Sequence, residues 1–241
     1  MLKFLFKKRQ ELFINGNFKK FFFYAIGEIS LVVIGILIAV QIDNWNNQRI
    51  SSLEELALLK EMRNNLEMDI VDVRGNIGWL NDLLNSNQLM LSSLEQPYRS
   101  NPTSKEHFDG IYGTVNFRKN TSAYKNLESL GLNTIRNHKL RIAITNLYAI
   151  SYVGIDNSRR IHSFFLQNHY FPEIIEHYKF DGSFNKAYPI DNFGLTKNHK
   201  IKELANYNCA LITIMVNEYT DLEKEITDLL DLIKTEIGNR N

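Results

Sequence analysis

One uninterrupted apolar segment constrains the fold of this chain more than any other feature. Residues 21–42 read FFFYAIGEISLVVIGILIAVQI and contain one charged side chain, Glu28. A helix needs about 20 apolar residues to cross the ~30 Å hydrocarbon layer of a membrane. A buried core helix is the alternative, but such helices normally keep a polar face, and residues 31–40 have none. We therefore expect residues 21–42 to form a transmembrane helix.

The flanking sequence predicts that this segment stays attached and how it is oriented. The apolar run is longer than the 7–15 residues of a typical signal peptide, and no Ala-x-Ala cleavage site follows it. Residues 1–20 carry six basic side chains and one acidic one, whereas Arg49 is the only basic residue soon after the segment. The positive-inside rule then keeps residues 1–20 in the cytoplasm and exports residues 43–241, which in a bacterium means the periplasm.

Two motifs carry a resemblance to a known family. The first motif is Tyr24-Ala-Ile-Gly-Glu28-Ile, Leu31-Val-Val-Ile-Gly35-Ile-Leu-Ile-Ala39 and Gln41-Ile-Asp-Asn-Trp45-Asn. The second is Thr121-Ser-Ala-Tyr124-Lys-Asn-Leu127-Glu-Ser-Leu-Gly131, followed by Asn137-His-Lys-Leu140-Arg141. Both resemble a family of uncharacterised single-pass membrane proteins of Gram-negative bacteria, although Asp43 and Asn47 stand where relatives tend to have Asn and Glu. The resemblance implies an inner-membrane anchor and a helical exported domain, and it transfers no catalytic residue.

Composition and missing motifs exclude several functional classes. The single cysteine, Cys209, rules out a disulfide framework and any multi-cysteine metal or iron–sulfur site. After residue 20 the chain has 22 basic and 26 acidic side chains, a net of −4, which argues against nucleic-acid binding. Phosphate-binding loops, zinc-protease motifs and nucleophile elbows are absent from the sequence. We therefore predict that the protein is not an enzyme and has no cofactor.

Heptad spacing predicts a long helix over residues 51–96. Ser51-x-x-Glu54 is a capping box, which would allow a helix to begin there rather than continue from the membrane. Arg63 and Asn87 occupy seam positions, where polar residues cost stability but fix register or select a partner, unless the seam turns outward locally. The apolar seam follows alternating steps of three and four residues and comprises Leu56, Leu59, Arg63, Leu66, Ile70, Val73, Ile77, Leu80, Leu84, Asn87, Leu91 and Leu94.

The remaining sequence predicts three more helices. We expect a short helix over about 121–130, capped by Thr121, and a helix over about 138–178 that Pro172 kinks. A long helix over about 198–237 has a second seam, and residues 97–119 and 179–196 are loops. The second seam comprises Ile212, Met215, Tyr219, Leu222, Ile226, Leu229 and Ile233.

These elements define the predicted fold class. It is all-α, with one transmembrane helix followed by an elongated exported helical bundle with coiled-coil-like arms. The first arm, residues 66–84, is expected to pack antiparallel on the second, residues 212–233, within one chain. Pairing of each arm with its own copy in a homo-oligomer is the rival arrangement.

Four side chains form a weak metal candidate: His162, His169, Glu173 and His177. Their spacing of seven, four and four residues places them near one helix face, and imidazole with carboxylate suits zinc or iron. Metal sites of helical bundles usually take ligands from facing helices, however, and Pro172 disturbs the helical register. A polar helix face with half-buried histidines is therefore the preferred interpretation, and no metal is predicted.

Glu28 is the most informative polar residue of the membrane segment. If the hydrocarbon began after it, only residues 29–42 would remain, about 21 Å, which is too short to span the layer. Glu28 shares a helix stripe with Gly35 and Ala39, the small-residue spacing that lets membrane helices approach closely. The stripe predicts a membrane-helix contact, and a glutamate reaching toward the headgroups is the alternative.

The function expected from these features is contact with other proteins. The protein would be a scaffold or accessory subunit of an inner-membrane complex, with the bilayer and either its own copies or another inner-membrane protein as partners. A sensory bundle that binds a small ligand is the first alternative. A subunit of a proton-coupled membrane machine that uses Glu28 is the second.

Overall fold

The computed structural model of the chain describes residues 18–95, 111, 113–180 and 187–240. The described part is predominantly α-helical and divides into two units, Met1–Glu55 and Leu56–Asn241. Its helices are α1 Phe18–Glu95, α2 Ser122–Leu130, α3 His138–Asn146, α4 Tyr152–Phe165, α5 Phe171–His177, α6 Asn192–Thr196 and α7 His199–Gly238. Helix α1 continues through Ser51 and Glu54, so the capping box does not begin a new helix.

The N-terminal unit contains an apolar helical stretch that is exposed among the described residues. Among the described residues, α1 is the one helix that is long and apolar enough, by length and composition, to cross a membrane. Large apolar side chains are exposed all along it, from Phe22 to Ile42. Gly35 and Ala39 are exposed too, and Glu28 is partly buried. A Cβ atom at Gly35 would meet no other atom within 4 Å, so this side of the helix is open.

In the C-terminal unit, the buried face of α1 is rotated from the seam that the sequence suggests. Half of the predicted seam is buried: Leu59, Leu66, Val73, Leu80, Asn87 and Leu94. The other predicted members, among them Leu56, Arg63 and Ile70, are only partly buried. Met62, Asp69, Leu83 and Met90 are fully or almost fully buried in their place. Because Asp69 is polar, the apolar pattern alone points to the neighbouring face of the helix.

Helix α7 buries a longer seam than the one predicted. All seven predicted residues, from Ile212 to Ile233, are buried. Ile201, Ala205 and Asn208 extend the same alternating spacing toward the start of the helix and are buried as well. A seam with steps of three and four residues keeps one face of a helix against its neighbours along its whole length.

Side-chain contacts show that α1 and α7 run in opposite directions. Near one end, Lys234 Nζ lies 3.6 Å from Glu67 Oε1. Further along α1, Asn208 Nδ2 donates to Asn87 Oδ1 at 3.0 Å. Since residue numbers rise along α1 while they fall along α7, the two helices are antiparallel within one chain.

Helix α2 ends at a glycine with a left-handed backbone. Gly131 has φ +95° and donates its N–H to Leu127 O, a conformation that residues with a side chain rarely adopt. At the other end, Thr121 precedes the helix but its side chain makes no capping hydrogen bond. The helix boundary therefore depends on Gly131 more than on the predicted threonine cap.

Residues 138–177 form a helical run interrupted by two π turns, Leu147–Ser151 and Leu166–Tyr170. Tyr152 N–H donates to Leu147 O, and Phe171 N–H donates to Leu166 O, each reaching five residues back. A π turn inserts one residue and so rotates the following helix by about 100°. Pro172 lies in the first turn of α5, directly after the second π turn, so the interruption expected at proline takes the form of a π turn.

The predicted loop over 179–196 contains regular structure. Strands β1 Tyr178–Phe180 and β2 Ala187–Pro189 pair antiparallel, with Lys179 opposite Tyr188. The short helix α6 follows β2. The helix that is predicted to reach residue 178 therefore ends at His177, and among the described residues this strand pair is the only regular structure that is not helical.

Candidate functional site

A row of polar side chains on α1 holds an extended segment of the chain. Asn65 Nδ2 donates to Ser122 Oγ at 2.9 Å, and Asp72 Oδ2 accepts from Arg118 N at 3.0 Å. Asp69, between Asn65 and Asp72, accepts from the backbone and the side chain of Asn120. Residues 118, 120 and 122 thus each bond to one of three polar side chains, which stand three or four residues apart on α1. We call residues 116–122 the clamped segment.

Asp69 is the centre of the first buried polar cluster. Its Oδ1 accepts from Asn120 N at 2.8 Å and from Asn120 Nδ2 at 2.7 Å, and its Oδ2 accepts from Tyr152 Oη at 2.5 Å. Burial raises the pKa of Asp69, although these hydrogen bonds act in the opposite direction. A carboxylate with no exposed surface and three donors is stabilised only as long as all three remain.

Aromatic rings surround the Asp69 cluster. Tyr148 packs edge-on against Tyr152 with 5.0 Å between ring centroids and stacks on Tyr124 at 4.5 Å. Phe117 also packs edge-on against Tyr152, with 5.0 Å between ring centroids. Burial, and the nearby Asp69 charge, raise the pKa of both Tyr148 and Tyr152 well above the ordinary tyrosine value. The rings therefore shield a neutral hydroxyl that donates to a buried carboxyl group.

A second buried polar group joins α1, α4, α7 and the second π turn. Asn87 Oδ1 accepts from Tyr170 Oη at 2.8 Å and from Asn208 Nδ2 at 3.0 Å. His162 Nε2 lies 2.9 Å from Asn208 Oδ1. We call Asn87, His162, Tyr170 and Asn208 the polar layer. It lies between two apolar clusters, since Leu83 belongs to one of them and Tyr170 packs within the other.

The hydrogen bonds of the polar layer fix the state of His162. Because Asn208 Nδ2 donates to Asn87, its Oδ1 must accept from His162, which places the imidazole proton on Nε2. The other ring nitrogen, Nδ1, is buried and has no hydrogen-bond partner among the described residues. Burial lowers the pKa of His162 below its ordinary value, although the bond to Asn208 acts in the opposite direction. The polar layer thus contains a neutral imidazole with one free acceptor.

The state of His162 predicts a pH dependence of stability. Since its pKa is lower in the folded than in the unfolded chain, its contribution is complete above the unfolded value of about 6.5 and is lost as pH falls through the folded value. The free energy of unfolding should therefore fall as the pH drops below about 6.5. His162→Gln retains an N–H donor but cannot titrate, so it should flatten this part of the curve. His138→Gln, at an exposed imidazole, is the control and should leave the slope unchanged; equal slopes for all three proteins would contradict the assignment.

A third cluster lies at the end of α5. Glu173 Oε1 is 3.2 Å from His177 Nε2, and Glu173 Oε2 is 2.5 Å from Lys200 Nζ. Burial by itself would raise the pKa of Glu173, but the Lys200 ammonium and the His177 and Asn198 hydrogen bonds hold it below its ordinary range. Ligand atoms of Glu173, Glu176 and His177 lie within 4.8 Å of one another, a set able to hold a cation. In this arrangement the Lys200 ammonium balances the negative charge of Glu173, as a bound cation would.

The four residues of the weak metal candidate do not converge. Glu173 and His177 are neighbours, whereas His162 belongs to the polar layer. His169 is exposed and lies against the rings of Phe164 and Phe165. The π turn at Leu166–Tyr170 explains the separation, because it rotates α5 away from the regular spacing on which the set was based.

The two polar seam residues have different environments. Asn87 is buried, and besides accepting two hydrogen bonds it donates from Nδ2 to Leu83 O at 2.8 Å. Arg63 is partly exposed and donates from Nη2 to Asn64 Oδ1 at 3.1 Å. Asn87 thus lies in the interior, while Arg63 lies at its edge.

Sequence reasoning missed Asp69, Tyr152 and Asn208. The sequence contains a signal for Asn208, because this residue stands four residues before Ile212 on the seam of α7. Asp69 likewise stands three residues after Leu66. The pairing of Asp69 with Tyr152, 83 residues later, had no local signal, since it depends on the first π turn.

Comparison with known proteins gives one family. The model of a family of unknown function, DUF6090, matches residues 28–163, more than half of the chain. The chain belongs to this family. The part matched by the DUF6090 model begins at Glu28, contains the Asp69 cluster and the clamped segment, and ends before Tyr170 and Asn208. No curated protein and no solved structure is significantly similar to the chain.

Proposed function

We propose that the chain is a single-pass protein of a bacterial inner membrane that acts by protein–protein contact. In this role it is a scaffold or accessory subunit of a membrane complex. Residues 1–20 lie in the cytoplasm, and the C-terminal unit forms a periplasmic helical bundle whose coiled-coil-like arms are the C-terminal part of α1 and α7. Heptad spacing of buried residues in both helices supports the arms.

One observation carries the membrane part of the proposal. The large apolar residues of α1 from Phe22 to Ile42 are exposed, and the described part of the chain does not cover them. Leaving apolar surface in water costs about 25 cal/mol per Å². A continuous apolar cylinder of this length matches the hydrocarbon layer, so lipid is the environment that removes the cost.

The contact part of the proposal is supported by how the polar groups are used. The buried polar groups around Asp69 and Asn87 bond mainly to one another and so hold helices in register. In the membrane helix, Gly35 and Ala39 leave an open side on the same stripe as Glu28. Small residues beside a polar one are what membrane helices use to dock on each other.

Ligand sensing is the second candidate function. The free Nδ1 acceptor of His162 favours it, because a buried lone pair gains a hydrogen bond if a ligand or water supplies a donor. A proton-coupled role would instead depend on Glu28.

Fusion reporters test the proposed topology. An enzyme that is active only in the periplasm should be active when fused after Asn241 and inactive when fused before Phe21. The basic side chains among residues 1–20 are the physical reason, since they resist export. Replacing Lys3, Lys7, Lys8 and Arg9 by glutamine should weaken this preference. Activity only in the N-terminal fusion would contradict the orientation.

A further inference from the structure

An exposed apolar stripe runs along the outer side of α4 and the π turn that precedes it. It comprises Ile150 of the π turn and Val153, Ile161 and Phe164 of α4, each 47–66% exposed. Val153 and Ile161 stand four residues on either side of the exposed Asn157, and Phe164 stands seven residues after it, so these four residues share one face of α4. Ile150 precedes Asn157 by seven residues in the sequence.

Helix α7 widens this surface. Tyr207 and Ile214 are 54% and 51% exposed. The Tyr207 ring packs edge-on against Phe165 with 4.9 Å between centroids. Ser158 Oγ donates to Glu218 Oε1 at 2.9 Å, which holds α4 and α7 side by side. We call these six exposed apolar residues, together with Asn157, the outer patch.

The outer patch is large enough for a protein interface. Six half-exposed side chains, two aromatic rings of about 200 Å² and four smaller aliphatic ones, together present on the order of 500–600 Å² of apolar surface. That equals the upper end for the largest patch of an ordinary monomer, about 300–600 Å². It also approaches the ~800 Å² that each partner contributes to a stable complex. The outer patch is therefore an interaction surface by size.

We propose that the outer patch docks on the same patch of a second copy of this chain. The inference rests on the contact function proposed above and names its partner. A two-fold axis through Asn157 brings the two Asn157 side chains together. Asn157 Oδ1 accepts from Arg160 Nη2 at 3.0 Å, and its second lone pair can accept from Asn157 Nδ2 of the other copy. Asparagine in an otherwise apolar helix seam is known to set register in this way. A shared membrane raises the effective concentration of the two copies, which offsets the modest area.

Cysteine crosslinking of the full-length protein in mild detergent tests the proposal. In a Cys209→Ala background, which removes the only native thiol, Asn157→Cys should form a disulfide-linked dimer at least tenfold faster than Val71→Cys. Val71 is 68% exposed on α1 and lies outside the outer patch, so it measures random collision. Adding Ile161→Lys should slow the Asn157→Cys crosslink at least tenfold, because it places a charge in the apolar seam. Since Ile161 is exposed, thermal unfolding followed by circular dichroism should not change.

Two results would overturn the proposal. One is equal crosslinking at residues 157 and 71, and the other is no effect of Ile161→Lys. Co-purification of differently tagged copies distinguishes failure of this inference from failure of the proposed function. If the copies do not co-purify while another membrane protein does, the second-copy inference is wrong and the contact function stands. If neither co-purifies, both are wrong.

Discussion

Replacing Asp69 with alanine should lower the free energy of unfolding by about 3–5 kcal/mol. The change leaves Asn120 N–H, the Asn120 amide and the Tyr152 hydroxyl without an acceptor, and each unpaired buried group costs about 1–3 kcal/mol. It also removes the anchor at the middle of the clamped segment. Chemical denaturation of the detergent-solubilised protein, followed by near-ultraviolet circular dichroism of its tyrosines, measures the loss.

Asp69→Asn separates hydrogen bonding from charge at this position, and Asp82→Ala is the control. Asp69→Asn keeps an acceptor oxygen and removes a charge that burial disfavours, so we expect a loss of about 1 kcal/mol or less. Asp82→Ala, at an exposed carboxylate of the same helix, should change stability by no more than about 0.5 kcal/mol. If Asp69→Ala matched Asp82→Ala, the Asp69 cluster would not hold the fold.

Replacing Glu28 with leucine should lower recovery of the native membrane complex by roughly threefold to twentyfold. A carboxylate at mid-span costs about 2.5–3.5 kcal/mol on insertion scales, and less near the edge, so it gains from a donor on a partner helix. Loss of one interhelical hydrogen bond in a membrane costs about 0.6–1.7 kcal/mol. Glu28→Gln retains hydrogen bonding and should assemble much better than Glu28→Leu. Recovery is measured by affinity purification in mild detergent.

The behaviour of Glu28→Gln also distinguishes the alternative roles of Glu28. Val33→Leu, on the opposite side of the helix from Gly35, is the matched control and should have no effect. Normal assembly of Glu28→Gln with lost function would favour a proton-coupled role. If both Glu28 variants assembled and functioned like the parent, Glu28 would only reach toward the headgroups and the helix would only be an anchor.

The sequence predicts the apolar elements of this fold better than its polar ones. The seam of α7 is readable because nearly all its buried residues are apolar and keep one spacing. Half of the predicted seam of α1 is buried, but the other half lies one position along the helix from the buried face. Asp69 is the reason, because it occupies a core position while the predicted seam residue beside it is Ile70. A buried polar residue that is paired through a distant part of the chain has no local pattern to mark it.

The candidate sites depend on features that local periodicity does not encode. Both π turns shift the helical register of residues 138–177, and they bring Tyr152 to Asp69 and Tyr170 to Asn87. The same shift separates His162 and His169 from Glu173. Residues 116–119 of the clamped segment have no regular secondary structure, in agreement with the loop predicted over 97–119. The position of the segment comes from side chains of α1 and not from its own sequence.

The native mass of the protein, purified from its own membranes in mild detergent, shows whether it works by contact with other proteins. We expect an assembly of fixed stoichiometry that contains at least two copies of this chain, and whose recovery falls with Glu28→Leu. Native mass spectrometry gives both the mass and the identity of the subunits. Recovery of a single 28.1 kDa chain in every mild detergent, with nothing bound to it at constant ratio, would contradict the proposal that it works by contact with other proteins.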